Sequence, residues 1–97
     1  IGHPAARDAV LAGLASGSMA ARVAAAGAAG RIALLDSAEQ LVGLLGAPEW
    51  WVRFRAAEAL LQLGAPGIAH LRSVAEHGGE LAREAAGKML AERGITL

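Results

Sequence analysis

The chain has 97 residues, nine basic and nine acidic side chains for a formal net charge of zero, and no cysteine. One small domain fits that length. The cancelled charge excludes the strong basic field that general nucleic-acid binding needs, and the missing Cys excludes disulfides, zinc ribbons and thiol nucleophiles.

Ala occurs 25 times and Leu 14 times, against 10 for Val, Ile and Thr together, so the summed conformational preference is helical. Gly and Pro divide the chain into six helical stretches, because Gly ends helices cheaply and Pro suits their first turn. The first is predicted from Pro4 to Ala15, ending at Ser16-Gly17-Ser18. The second runs from Met19 to about Ala33, with Ser18 as its N-cap. Asp36-Ser37-Ala38-Glu39 reads as a capping box, with Asp36 accepting from the amide three residues on and Glu39 reaching back. It opens a third helix, Ser37 to Leu45, which stops at Gly46-Ala47-Pro48. The fourth covers Glu49 to Leu63, the fifth Pro66 to His77 and the sixth Glu80 to Arg93. None spans a membrane: the longest uncharged run, Ala9 to Ala21, carries Gly13, Ser16, Gly17 and Ser18 and is shorter than the ~20 apolar residues required.

The helices pair and the pairs repeat. A shift of 30 places Arg53 on Arg83, Ala56 on Ala86, Leu60 on Leu90, Gly64 on Gly94, Leu41 on Leu71 and Leu44 on Val74. A shift of 31 places Arg22 on Arg53, Ala25-Ala26 on Ala56-Ala57, Val10 on Leu41 and Leu14 on Leu45. A fixed period near 30 with a helical hairpin in each copy marks an α-solenoid. The expected fold is therefore all-α: a right-handed superhelix of about three hairpins and six helices, with repeats at about 4–34, 35–64 and 65–97.

The segment Val52-Arg53-Phe54-Arg55-Ala56-Ala57-Glu58-Ala59-Leu60-Leu61-Gln62-Leu63-Gly64 resembles the second helix of a HEAT repeat, with its Val-Arg, paired Ala, Leu and final Leu-Gly. The third copy keeps Arg83, Ala86, Leu90 and Gly94 but has Arg93 where Leu63 stands. The first copy keeps Arg22, Ala25 and Ala26, has Ile32 at that place, and lacks the following Gly. The period is shorter than the ~40–47 residues of long HEAT repeats, and is similar to the compact bacterial variety also seen in phycobilin-lyase-like proteins. With Ile1 in first position, the chain reads as a single HEAT-like domain excised from a longer protein.

Three stripes run along the fourth helix. Val52, Ala56, Ala59/Leu60 and Leu63 form the core stripe, and Trp50, Phe54, Ala57 and Leu61 a second apolar one facing the next repeat. The third is Trp51, Arg55, Glu58 and Gln62, aligned with Ala20, Ala24, Gly27 and Arg31 before it and with Leu81, Ala85, Lys88 and Glu92 after it. In HEAT arrays the second helices line the concave face, so the resemblance puts this stripe there. Trp51, Arg55, Glu58 and Lys88 are then the candidate partner-binding residues, Trp51 supplying apolar area and Arg55 a fork for carboxylates. Trp51 is expected to be partly exposed and Trp50 mostly buried. In the opposing reading both indoles fill space between repeats. The recurring Arg22, Arg53 and Arg83 read as structural ties of turns or adjacent repeats, with Glu49 four residues before Arg53 as a helical ion-pair partner.

No catalytic constellation emerges. His70 and His77 lie two turns apart, roughly 10 Å of rise, too far to share a metal ion. The His-Glu pairs of HEAT-type deoxyhypusine hydroxylases are absent, and Trp50, Trp51 and Glu58 only faintly echo the HEAT-type alkylpurine glycosylases, without their basic groove. Ala26-Gly27-Ala28-Ala29-Gly30 lacks the strand and Lys-Ser/Thr of a phosphate loop. The expectation is a non-enzymatic scaffold that binds a protein or peptide on its concave face, with no cofactor and no metal. The alternative is part of a HEAT-type enzyme or lyase whose catalytic residues lie elsewhere. A cytoplasmic location is favoured, with an upstream anchor left open. The apolar Ile1 and Ile95-Thr96-Leu97 predict self-association through the end helices.

Overall fold

The computed structural model describes residues 4–95. The apolar ends Ile1, Thr96 and Leu97, and also His3, lie outside the described residues. Among those described there are six α-helices and no strand: α1 Pro4–Leu14, α2 Met19–Arg31, α3 Ala38–Leu44, α4 Trp50–Gln62, α5 Ala65–His77 and α6 Glu80–Glu92. Consecutive helices pack as hairpins, α1 on α2, α3 on α4 and α5 on α6. The hairpins stack so that α2, α4 and α6 form one layer, and α1, α3 and α5 the other. Extents of 36 × 27 × 19 Å match a slab two helices thick. This is an all-α repeat solenoid.

The repeat seen in the sequence is the repeat in space. The helices α2, α4 and α6 are each 13 residues long, and their starts are offset by the 31 and 30 residues of the sequence shifts. Equivalent positions form buried columns: Val10, Leu41 and Leu71; Ala25, Ala56 and Ala86; Ala29, Leu60 and Leu90. One continuous core joins all three hairpins, as a stack of units that cannot bury their own faces requires.

Helix ends follow the repeat too. The N–H of Leu34 donates to the Ala29 carbonyl at 3.0 Å and that of Ile95 to Leu90 at 2.9 Å, while Ala33 and Gly94 donate to Gly30 and Ala91. These are paired Schellman bonds around a left-handed residue. Gly94 holds that place with φ +71°, but in α2 it is held by Ala33 at φ +53°, where a Cβ is unfavourable. Gly64, at φ +81° and ψ −149°, instead turns the chain directly into α5.

Of the two expected N-terminal caps, one forms and one does not. Ser18 does cap α2, its Oγ accepting from the Ala21 N–H at 3.3 Å. The capping box at Asp36, however, does not form. Leu35–Ser37 is a 3-10 turn, α3 begins at Ala38, and the Asp36 carboxylate accepts from Arg7 Nε at 2.8 Å, tying α1 to the second repeat. That bond raises the Arg7 pKa above its ordinary value. Ser37 is buried and satisfies itself by donating from Oγ to the Leu34 carbonyl at 2.6 Å.

Candidate functional site: the face of α2, α4 and α6

Helix α4 is the middle of the layer, and its side chains sort as the three stripes predict in the core. Val52, Ala56, Ala59, Leu60 and Leu63 are all buried. The second stripe is only partly covered: Ala57 is buried, Phe54 and Leu61 are half-buried, and Trp50 is 56% exposed. The expectation of a buried Trp50 is therefore wrong. Trp51, at 37%, is partly exposed as expected and is the less open of the two. The reason is the residues opposite. Trp50 shares a groove of about 200 Å³ with Phe54 and Ala57 of α4 and with Ala85 and Met89 of α6. Ala85 is too short to cover an indole. The other α6 residues there, Glu84, Lys88 and Glu92, carry charges that stay in water.

The aromatic rings gather at the start of α4. Trp50 and Trp51 have centroids 5.0 Å apart, Trp51 and Phe54 5.5 Å, and Trp50 stacks on Phe54 at 5.7 Å with an interplanar angle of 12°. Helical spacing of four and three residues brings Trp50 and Trp51 each onto Phe54. The Arg55 guanidinium lies 4.6 Å from the Trp51 ring centroid, in cation–π range. It also donates to Glu58 Oε1 at 2.6 Å. Glu58 receives a second, longer approach from Arg93 at 3.8 Å. The fork that the sequence assigned to a partner's carboxylate is thus engaged by Glu58, and Arg55 serves to hold Trp51 in place.

The four candidate residues divide between two grooves. Arg55 and Glu58 border an open groove of about 540 Å³ between α2 and α4, floored by Ala24 and Gly27 and ended by Arg31. Lys88 borders the groove between α4 and α6. The aromatic cluster stands on α4 beside both. Stripe alignment had placed Ala24, Gly27 and Arg31 beside Arg55, and Ala85, Lys88 and Glu92 on the far side, as found. Sequence reasoning did not single out Trp50, Met89 and Glu84, which line the groove beside Lys88. Trp50 lies four residues before Phe54 and Glu84 four before Lys88, which was visible, but the gap between the helices was not.

The repeated arginines are structural at two of three places. Arg22 donates to the Ser16 carbonyl at 2.9 Å and Arg53 to that of Ala47 at 2.8 Å, each six residues back across its inter-helix turn. Arg22 also pairs with Glu49 of the next repeat at 2.8 Å. Glu49 therefore bridges repeats and does not pair with Arg53 in its own helix, because Arg53 is occupied by the turn carbonyls, including Pro48 at 2.9 Å. Among the described residues no group of three His, Asp or Glu could hold a metal ion, and no helix is long and apolar enough to cross a membrane.

A family model described as HEAT repeats matches residues 7–91. The chain belongs to the HEAT-repeat family, and its stacked helical hairpins are consistent with that family's all-α repeat fold. No curated protein matches the chain.

Proposed function

We propose that this chain is a non-enzymatic interaction module that docks a protein or peptide on the face of α2, α4 and α6, the side that is concave in HEAT arrays. HEAT repeats commonly mediate protein–protein interaction, and the observation that singles out this face is the open pair Trp50 and Trp51 beside an apolar groove. Exposed aromatic clusters of this kind are costly to leave in water and are enriched among binding hot spots. The charge balance supports a protein over a nucleic acid as partner. Glu58, the carboxylate a glycosylase-like reading would need free, is engaged by Arg55 and Arg93.

Selection of ligands from a displayed peptide library on the immobilised protein tests this. Ligands recovered should bind with affinities that fall about thirtyfold, roughly 2 kcal/mol, in Trp50→Ala or Trp51→Ala. Ligands that bind both variants as tightly as the parent would place docking elsewhere.

A further inference from the structure

The groove between α4 and α6 carries more information than its apolar floor. Its α6 wall is the row Glu84, Lys88 and Glu92, at i, i+4 and i+8, reading negative, positive, negative at intervals of about 6 Å. Glu84 and Lys88 have the spacing and order that favour an ion pair along a helix. Yet no ion pair involving Glu84, Lys88 or Glu92 occurs among the described residues. The basic residue on the α4 side, Arg53, is bound to turn carbonyls. Three exposed charges of alternating sign thus stand unpaired along one wall. A floor of Phe54, Ala57 and Met89 lies beneath them.

From this row we infer the partner's chemistry: an amphipathic helix whose apolar stripe enters the groove and whose flanking row reads positive, negative, positive at i, i+4 and i+8. The inference rests on the docking function proposed above and specifies its occupant. A volume of about 200 Å³ accepts one large apolar side chain, since a dry cavity of roughly 150 Å³ holds benzene. A helix can offer that side chain and the charge row together, because its stripes lie side by side at a period of 3.6. An extended strand cannot, because its same-side residues would all be the charges and its apolar residues would face away. The sign pattern is the same read in either direction, so both helix orientations satisfy it.

Two designed helical peptides test the row. They share one apolar stripe and differ in the flanking row, Lys-Glu-Lys in one and Glu-Lys-Glu in the other, with compensating charges on the solvent side to make both neutral. The Lys-Glu-Lys peptide should bind about tenfold more tightly, as expected for three exposed pairs gained in place of three repulsions. The ratio should shrink towards one in high salt. The protein variant Glu84→Lys/Lys88→Glu/Glu92→Lys should reverse the preference, and Lys88→Glu alone should reduce it. All three positions are exposed, and far-UV circular dichroism checks that the helices persist. Equal affinities, no binding by either peptide, or a preference that survives the reversal would overturn the inference. Library-selected ligands that still depend on Trp50 would then leave the docking function standing, whereas its own failure shows as loss of that dependence.

Discussion

Between α2 and α4 the chain packs small residues beneath a groove edged by Arg31, Arg55 and Glu58, and between α4 and α6 it sets Trp50, Phe54 and Met89 beside Glu84, Lys88 and Glu92. Ala25, Ala26, Ala29 and Gly30 are buried on α2. At Gly30 an added Cβ would run into the Gln62 side chain and stand 3.2 Å from the Ala59 Cα. The Arg22–Glu49 pair ties the same two repeats. At the other junction Trp50, Phe54 and Met89 are joined by Glu84, Lys88 and Glu92, and the helices leave a slot. One repeat pattern thus gives a close-packed junction beneath an open polar groove at α2–α4 and a smaller groove with an apolar floor at α4–α6, according to the side chains at a few facing positions. The hairpin period fixes the stack, and the residues between second helices fix where a ligand could enter.

The largest expected effect comes from the column beneath both junctions. Leu60 is fully buried between its equivalents Ala29 and Leu90. Leu60→Ala should cost ~2–5 kcal/mol through lost contact and the cavity left behind. Chemical denaturation reads this directly, and a loss below about 1 kcal/mol would remove the column from the account of stability.

A smaller effect should separate the junctions. Gly30→Leu drives a side chain between α2 and α4 and should cost ~1–3 kcal/mol, even though Leu is the better helix former. Gly27→Ala, three residues earlier, meets only the end of the flexible Arg31 side chain, at 3.3 Å. It should be neutral or gain up to about 1 kcal/mol. Equal losses in both variants would erase the distinction between a packed junction and an open groove edge.

The smallest effect lies where α2 closes. Ala33→Gly puts at φ +53° the residue type that Gly94 supplies at the end of α6. Relief of the left-handed strain, less the extra freedom of the unfolded chain, should raise stability by ~0.5–1 kcal/mol. A lower thermal midpoint than the parent's would show that this end is not strained.

The repeat, the six helices and the core stripe were legible because they rest on spacing: Ala25, Ala56 and Ala86 recur at 31 and 30 residues and are buried together. Partners across a gap were not legible. Asp36 has capping spacing, but Arg7, 29 residues earlier, reaches it first. Glu49 has ion-pair spacing to Arg53, yet Arg22 takes it. Trp50 stands on an apolar stripe, and its exposure is decided by the small Ala85 on a different helix. In each case the deciding residue is distant in sequence, and its reach depends on how far apart two helices come to rest. Trp51 and Arg55 were correctly placed on one stripe, but periodicity cannot tell a free guanidinium from one already held by Glu58.

The aromatic cluster also makes the molecule an unusual optical object. Its two tryptophans are the whole near-ultraviolet chromophore set beyond one phenylalanine, for there is no tyrosine. Both indoles lie within one turn at the start of α4, Trp50 lining the groove, while the Ala- and Leu-rich core absorbs nothing there. Emission therefore reports on one face, and peptide circular dichroism on all six helices. Acrylamide should quench the free protein efficiently and lose access as that face is covered. In a melt, any lag between the two signals would measure how independently the start of α4 loosens from the stack behind it.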